Sequence, residues 1–229
     1  MKKAARIIGI VAVIAILFIA IVASMTGKSS HSESVWDPEM TIGNEDAKNY
    51  FIIYSDLVCP YCIAFENAIL EHEDEFKEYI EQNDILYEVR VSDFLYEYGE
   101  ANPINSRYSA VATYCARNEG KFWDYYNHAI TTLWNDYFKS SGKSAISSMA
   151  NLDKDYWIDL GKQVGLGEKF ASCVKNDEPL EEIIQNAERT AKLVNGLPSF
   201  KLNSYSPPGF TMTGTWADVK AYFNTGLKS

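Results

Sequence analysis

The sequence predicts an α/β domain set behind an apolar N-terminal segment, and three observations carry that expectation. An apolar and aromatic run at Asn49–Ser55 ends at Cys59-Pro60-Tyr61-Cys62. A helical pattern behind this motif leads into a second strand-like run at Ile85–Val91. A long helical stretch then closes on short strand-like runs and a last helix. With 229 residues, 47% hydrophobic and 14% aromatic, the chain can bury a substantial core as one elaborated domain. Its formal charge of -10 argues against a nucleic-acid partner, because phosphate-seeking surfaces need clustered Lys and Arg.

The N-terminal segment comes first. Every residue from Ile7 to Ala23 is Ile, Val, Ala, Leu, Phe or Gly, and at about 1.5 Å per residue such a helix nearly spans a hydrocarbon core of roughly 30 Å. Lys2, Lys3 and Arg6 precede it and would stay cytoplasmic. Residues 1–24 are therefore expected to form a single-pass transmembrane anchor in the cell membrane, with the rest of the chain extracytoplasmic. The alternative is a cleaved signal peptide, since Val22-Ala23-Ser24 offers small residues near a cleavage site. Residues 25–40 read as a linker, polar and flexible from Thr26 to Glu33, with the folded region starting near Trp36 to Ile42.

Asn49–Ser55 suits a central strand buried on both faces. Pro60 sits where a helix begins, the position its fixed φ and missing N–H tolerate best. Cys62, Phe65, Ile69, Phe76 and Ile80 then repeat at helical spacing among Glu71, Glu73, Asp74, Glu75 and Glu78, which predicts one amphipathic helix ending at Asn83-Asp84. With Ile85–Val91 as the next strand, the two strands pair in parallel through a right-handed crossover. From Ile104 to about Val194 the pattern is helical, with Tyr108, Val111, Cys115, Phe122, Tyr126 and Ile130 forming one stripe and Ile183, Ile184, Ala187 and Ala191 another. Ser199–Asn203 and Phe210–Met212 read as short strands, and Trp216–Phe223 as a closing helix capped by Thr215.

The chemistry is expected at Cys59 and Cys62. Two cysteines separated by two residues at a strand-to-helix junction put the first sulfur near unpaired helix N–H groups and the positive end of the helix dipole, where negative charge on sulfur is favoured. Cys59 is thus the candidate nucleophile. Cys62, one turn further in, can attack a mixed disulfide on Cys59 and release the substrate. A zinc site is the competing reading of Cys-x-x-Cys, but it needs further ligands at recognisable spacing, and neither Cys115 nor Cys173 has a matching partner in sequence. No metal or other cofactor is therefore expected. Asp56, three residues before Cys59, could tune proton transfer as a buried carboxylate or simply hold the turn.

Several segments resemble the DsbA family of the thioredoxin superfamily. These are Ile42-Gly43-Asn44-Glu45-Asp46-Ala47, Ser55-Asp56-Leu57-Val58-Cys59-Pro60-Tyr61-Cys62, Tyr114-Cys115-Ala116-Arg117, Gly120-Lys121-Phe122-Trp123-Asp124-Tyr125, Phe170-Ala171-Ser172-Cys173 and Gly196-Leu197-Pro198-Ser199-Phe200. The resemblance covers roughly Ile42 to Phe223. It implies a thioredoxin-like fold over residues 41–229 with an all-helical domain inserted at about 102–192. It also implies that Pro198 is cis beside Cys59, with the Leu197 backbone free to bind an extended substrate strand. Pro60, Tyr61, Leu197 and Pro198 would then shape the active-site loops. Strongly oxidising members of the family carry His where this chain has Tyr61, so a pair less oxidising than about −120 mV is expected. Leu197 is bulkier than the Thr or Val common before the cis proline.

Cys115 and Cys173 bring the cysteine total to an even four in an expected oxidising compartment, which suggests a structural disulfide; two separate buried thiols are the alternative. His72 and His128 read as surface residues. Trp123, Tyr125, Tyr126 and Trp134 read mostly as core. The leading function is introduction of disulfides into newly exported, unfolded proteins, with a membrane redox partner regenerating the Cys59–Cys62 disulfide. Reduction or isomerisation of wrong disulfides is the second reading, and a non-catalytic binding module for unfolded chains is the third.

Overall fold

The computed structural model describes residues 34–98, 103–141, 149–207 and 215–228, all within one compact unit spanning 31–229. The expected anchor at residues 1–24, the first part of the linker and the strand expected at Phe210–Met212 lie outside the described residues. Among those that are described, no helix is long and apolar enough to cross a membrane.

The chain runs through β1 (Thr41–Ile42), β2 (Asn49–Ser55), α1 (Pro60–Leu70), α2 (Glu73–Gln82), β3 (Ile85–Val91) and α3 (Phe94–Tyr98). A helical block follows: α4 (Pro103–Arg117), α5 (Phe122–Leu133) with a π-helical turn at Trp134–Phe138, α6 (Lys154–Gln163), α7 (Glu168–Lys175) and α8 (Leu180–Leu193). β4 (Ser199–Leu202) and α9 (Trp216–Gly226) complete the unit. The sheet order is β1-β3-β2-β4, with β2 and β3 parallel and both outer strands antiparallel to their neighbours. β2 is buried at all but its first residue, which is why it reads as a continuous apolar run, whereas β3, buried throughout, alternates because Glu88 and Arg90 face the other side of the sheet from Tyr87, Val89 and Val91. The edge strand β1 is too short to register as a pattern. Gly43 follows it at φ 116°, where a Cβ would lie 2.3 Å from the Ile85 carbonyl oxygen, so only glycine fits the close approach to β3.

The single helix expected from Pro60 to Asn83 is two helices. His72 leaves the helical region at φ −131°, ψ 38°, and the Ile69 carbonyl accepts from His72 N at 3.0 Å in a tightened last turn. The break has a packing cause. α1 buries Cys62, Ile63, Phe65, Glu66, Asn67, Ala68 and Ile69, nearly its whole circumference, whereas α2 buries only Phe76 and Ile80. One straight axis could not be enclosed at its start and lie on the surface at its end. The linker expected over 25–40 also ends earlier: Pro38–Met40 form a 3-10 turn capped by Asp37, and Met40 is buried.

The sheet separates two clusters. Phe51, Ile53, Tyr87, Val89, Phe200 and Leu202 face the main core with α1, α9 and the helical block. Tyr50, Ile52, Tyr54 and Leu86 face a smaller cluster, onto which Val35, Trp36, Val194 and Leu197 pack. This second face carries a buried ion pair, Arg90 Nε to Glu88 Oε2 at 2.8 Å. Burying both charges is tolerable because the pair is enclosed in further hydrogen bonds on both sides. Arg90 also donates to Tyr54 Oη and Tyr50 Oη at 3.1 Å each and to the Ser34 carbonyl at 3.0 Å. Glu88 Oε1 accepts from the backbone N–H groups of Trp36 at 2.6 Å and Asp37 at 3.2 Å, while its other oxygen accepts from Tyr50 Oη.

Candidate active site

The C-terminal end of β2 delivers the motif. Leu57 and Val58 are buried, and the Cys59 N–H donates to the Asp56 carbonyl at 3.1 Å, turning the chain into α1. Cys59 is the N-cap of α1 with extended backbone (φ −76°, ψ 119°), Pro60 opens the first turn, and no side chain caps the helix. The unpaired N–H groups of that turn are therefore left to face the Cys59 sulfur or its substrate. Cys59 is 4% exposed and Cys62 0%, and the two thiols are not bonded to each other. The antiparallel register of β4 against β2, with Tyr54 opposite Ser199, brings the preceding loop to the same end of the sheet. There Leu197–Pro198 is cis, and the Cys59 thiol points to the Leu197 carbonyl at 3.5 Å. Ser199 Oγ donates to the Gly196 carbonyl at 2.6 Å and pins the loop. Tyr61 and Leu197 are half-buried beside the sulfur pair, and Pro198 is buried.

Burial is the largest influence on Cys62 and pushes its thiol up, with the neighbouring Cys59 and the Asp56 charge acting in the same direction. Asp56 is fully buried, yet its carboxylate is well supplied with donors. Oδ1 accepts from Val58 N at 3.0 Å, and Oδ2 accepts from Leu95 N at 3.0 Å and Ser106 Oγ at 2.6 Å. Burial raises its pKa to about 6 and these hydrogen bonds oppose the rise, so it is largely ionised at pH 7. The carboxylate holds the turn and is a buried charge that acts on Cys62.

A second buried acid, Glu66, is not singled out by the sequence. It lies one turn after Cys62 on α1 and is 3% exposed. Tyr87 Oη donates to Glu66 Oε1 at 3.0 Å, and Tyr126, whose hydroxyl lies 3.3 Å from Ser55 Oγ, is its other partner. Burial lifts the carboxyl to about 8 against the weaker pull of these phenols, leaving it mostly neutral at pH 7. Tyr87 and Tyr126 both sense the charge of Glu66 and of Cys62, so the four groups form one electrostatic cluster behind the motif. Its signal is the i, i+4 spacing of Cys62 and Glu66, which puts the acid on the enclosed face of α1. Taken alone, a Glu in a helix reads as solvated.

Cys115 on α4 and Cys173 on α7 are joined by a disulfide of S–S length 2.01 Å, inside the helical block. His72 is paired with Glu75 at the surface, and His128 Nε2 lies 3.0 Å from Gln163 Oε1 in an exposed contact; neither approaches the motif in any described contact. Tyr125 and Tyr126 are core, while Trp123 is half-buried and donates to the Thr41 carbonyl at 3.1 Å. Among the described residues no group of three or more His, Cys, Asp or Glu is arranged to hold a metal ion.

Comparison with known proteins places this geometry in context. The family model described as Thioredoxin matches residues 36–210. A relative in Rickettsia bellii (strain RML369-C), named as a protein-disulfide oxidoreductase, is 25% identical over 185 residues, covering 79% of this chain. The chain spans 63% of that relative's length. Among solved structures, MdbA of Corynebacterium diphtheriae, a thiol-disulfide oxidoreductase, superposes with a TM-score of 0.61 at 17% identity, over 87% of this chain and 94% of its own. BdbD of Bacillus subtilis gives 0.59 at 16% identity, over 83% and 93%. DsbG of Mycobacterium tuberculosis, a disulfide bond oxidoreductase, gives 0.56 at 17%, over 88% and 91%. At these identities the structures show a shared fold: a thioredoxin-like core with a helical block.

Proposed function

The chain belongs to the thioredoxin family whose model it matches, and from that premise we propose that it is a protein thiol–disulfide oxidoreductase acting through Cys59 and Cys62. The observation that carries the proposal is the convergence of the Cys59 sulfur, the open N-terminus of α1 and the Leu197 carbonyl at one end of the sheet. In the oxidising direction a substrate thiolate attacks Cys59 Sγ of the Cys59–Cys62 disulfide. Cys62 leaves, and because burial favours its neutral form it takes up a proton. A second substrate thiolate then attacks the substrate sulfur of the mixed disulfide, displacing Cys59 as thiolate. The substrate has lost two electrons and gained a disulfide; the enzyme holds both electrons as a dithiol until a redox partner removes them.

The finer reading is an extracytoplasmic enzyme tethered by residues 1–24, which oxidises newly exported proteins and is recycled by a membrane redox partner. The apolar run from Ile7 to Ala23 behind Lys2, Lys3 and Arg6 supports the tether, and the Cys115–Cys173 bond fits a compartment where disulfides persist. Tyr61 favours the alternative of a reductase or isomerase, since it brings no positive charge to the motif. The deciding experiment equilibrates the full chain against glutathione buffers, with Cys59→Ser as the blank. A potential above about −180 mV favours a disulfide donor and one below about −240 mV a reductase, whereas no titratable pair would overturn the proposal.

A further inference from the structure

We propose that Trp36 is a positioning residue for the substrate-binding loop Val194–Pro198, held between the ion pair on β3 and the end of α8; this rests on the exchange activity proposed above. Trp36 lies ahead of the first strand, yet it is tied down from several sides. Its backbone N–H donates to the buried Glu88 carboxylate at 2.6 Å. The guanidinium groups of Arg90 and Arg189 lie over its ring, at 4.1 and 3.7 Å from the centroid. Its edge meets Tyr54, with ring centroids 6.0 Å apart.

The contacts with Tyr54 and Arg189 lead toward the reactive sulfur. Tyr54 is the β2 residue registered opposite Ser199, immediately after Pro198. Arg189 belongs to the last turns of α8, whose chain continues into Val194 and Leu197. Val194 and Leu197 pack on the same Tyr50–Ile52–Tyr54–Leu86 cluster that Trp36 covers. Leu197 in turn presents its carbonyl 3.5 Å from Cys59 Sγ. Trp36 thus braces both ends of the loop, through α8 before it and β4 after it, while touching neither cysteine. A guanidinium over an indole face is attracted by the negative face of the ring, which ties Arg189 and the end of α8 to Trp36.

A brace of this kind acts on extended substrates that must align along the loop, and leaves small thiols, which need only reach the sulfur, unaffected. The test is single-turnover reduction of the Cys59–Cys62 disulfide in the full chain, read by thiol alkylation. One reductant is dithiothreitol and the other a reduced, unfolded polypeptide carrying two cysteines. In Trp36→Ala the polypeptide reaction is expected to slow on the order of tenfold to a hundredfold, the scale of a reacting group displaced by about 1 Å, while the dithiothreitol rate holds. Backbone amide exchange is expected to speed up in 194–202 and not in β2 or β3. Trp36→Phe and Arg189→Gln, which remove less packing, are expected to show the same pattern in weaker form. Equal slowing with both reductants, a loss of amide protection spread evenly over the sheet, or no change in either readout would overturn the proposal. If the wild type reacts with neither reductant, the exchange reading itself fails, and the amide exchange still decides whether Trp36 braces the loop.

Discussion

Replacing Glu66 by Gln should flatten the dependence of stability on pH between 6.5 and 8. The folded carboxyl titrates at about 8 against 4.5 for the ordinary group, a difference worth roughly 5 kcal/mol across the whole window at about 1.4 kcal/mol per pH unit. Because the folded state keeps a proton that the unfolded state has lost, stability falls as pH rises from about 4.5 and stops falling above about 8. Integrated from pH 6.5 to 8, Glu66 alone removes roughly 2 kcal/mol. Asp56 contributes with the same sign, but its window closes near its folded value of about 6, below this range. Gln keeps an oxygen to accept from Tyr87 Oη and has no charge to bury. The assay is urea unfolding at several pH values in a Cys59→Ser background, which prevents an active-site disulfide, with Cys115–Cys173 left oxidised. Two spectroscopic probes should give coincident transitions, so that a free energy is defined. Parallel pH profiles with and without the Glu66→Gln substitution would show that the acid is not held neutral, and the electrostatic account of the Cys62 cluster would have to be withdrawn.

Three further outcomes follow from the same structure. Cys115→Ala with Cys173→Ala should cost about 4 kcal/mol in the chain-entropy model, given a sequence separation of 58; a loss below about 1 kcal/mol in urea unfolding would contradict that account. Arg90→Leu should cost about 3–5 kcal/mol by leaving Glu88 buried and uncompensated, and adding Glu88→Gln should recover part of it; a thermal melt in which the double variant is no better than the single would refute the charge argument. Asp56→Asn should lower the pH at which Cys62 is alkylated in a Cys59→Ser background, because the Asp56 charge is one of the influences holding that thiol up; an unchanged alkylation profile would remove Asp56 from the electrostatics of the site.

What the sequence made legible was whatever leaves a local mark. β2 appears as an apolar run because it is enclosed on both faces, β3 shows by its alternation of apolar residues with Glu88 and Arg90, and the start of α1 is marked by Pro60. The helical block is visible because its stripes persist over many turns. The break at His72 left no such mark: the apolar positions keep helical spacing across it, and only the differing enclosure of α1 and α2, a tertiary fact, requires the chain to turn. Residues 34–40 look like linker for a similar reason. Trp36 and Asp37 are held by Glu88, and Arg117 reaches Asp37 at 2.6 Å, from positions more than fifty residues away. At the site, Cys59 and Cys62 carry their own spacing signal, whereas Glu66 does not, because a carboxylate becomes informative only once its burial is known.

Two buried acids lie near the Cys62 thiol in opposite protonation states. Asp56 has backbone and hydroxyl donors on both oxygens and is charged at neutral pH, while Glu66 has phenols for partners and is neutral. Giving Glu66 donors like those of Asp56 would place a second charge behind Cys62 and raise its thiol further. As built, full enclosure, the neighbouring Cys59 and the Asp56 charge all favour Cys62 as a thiol. The nucleophile's side of the motif receives no matching help from Tyr61, which carries no charge where a cation would stabilise a thiolate. Each 1.4 kcal/mol of thiolate stabilisation forgone lowers the potential of a two-electron couple by about 30 mV. Tyr61→His is therefore expected to raise the potential measured in glutathione buffers, and an unchanged value would remove Tyr61 from the control of the pair.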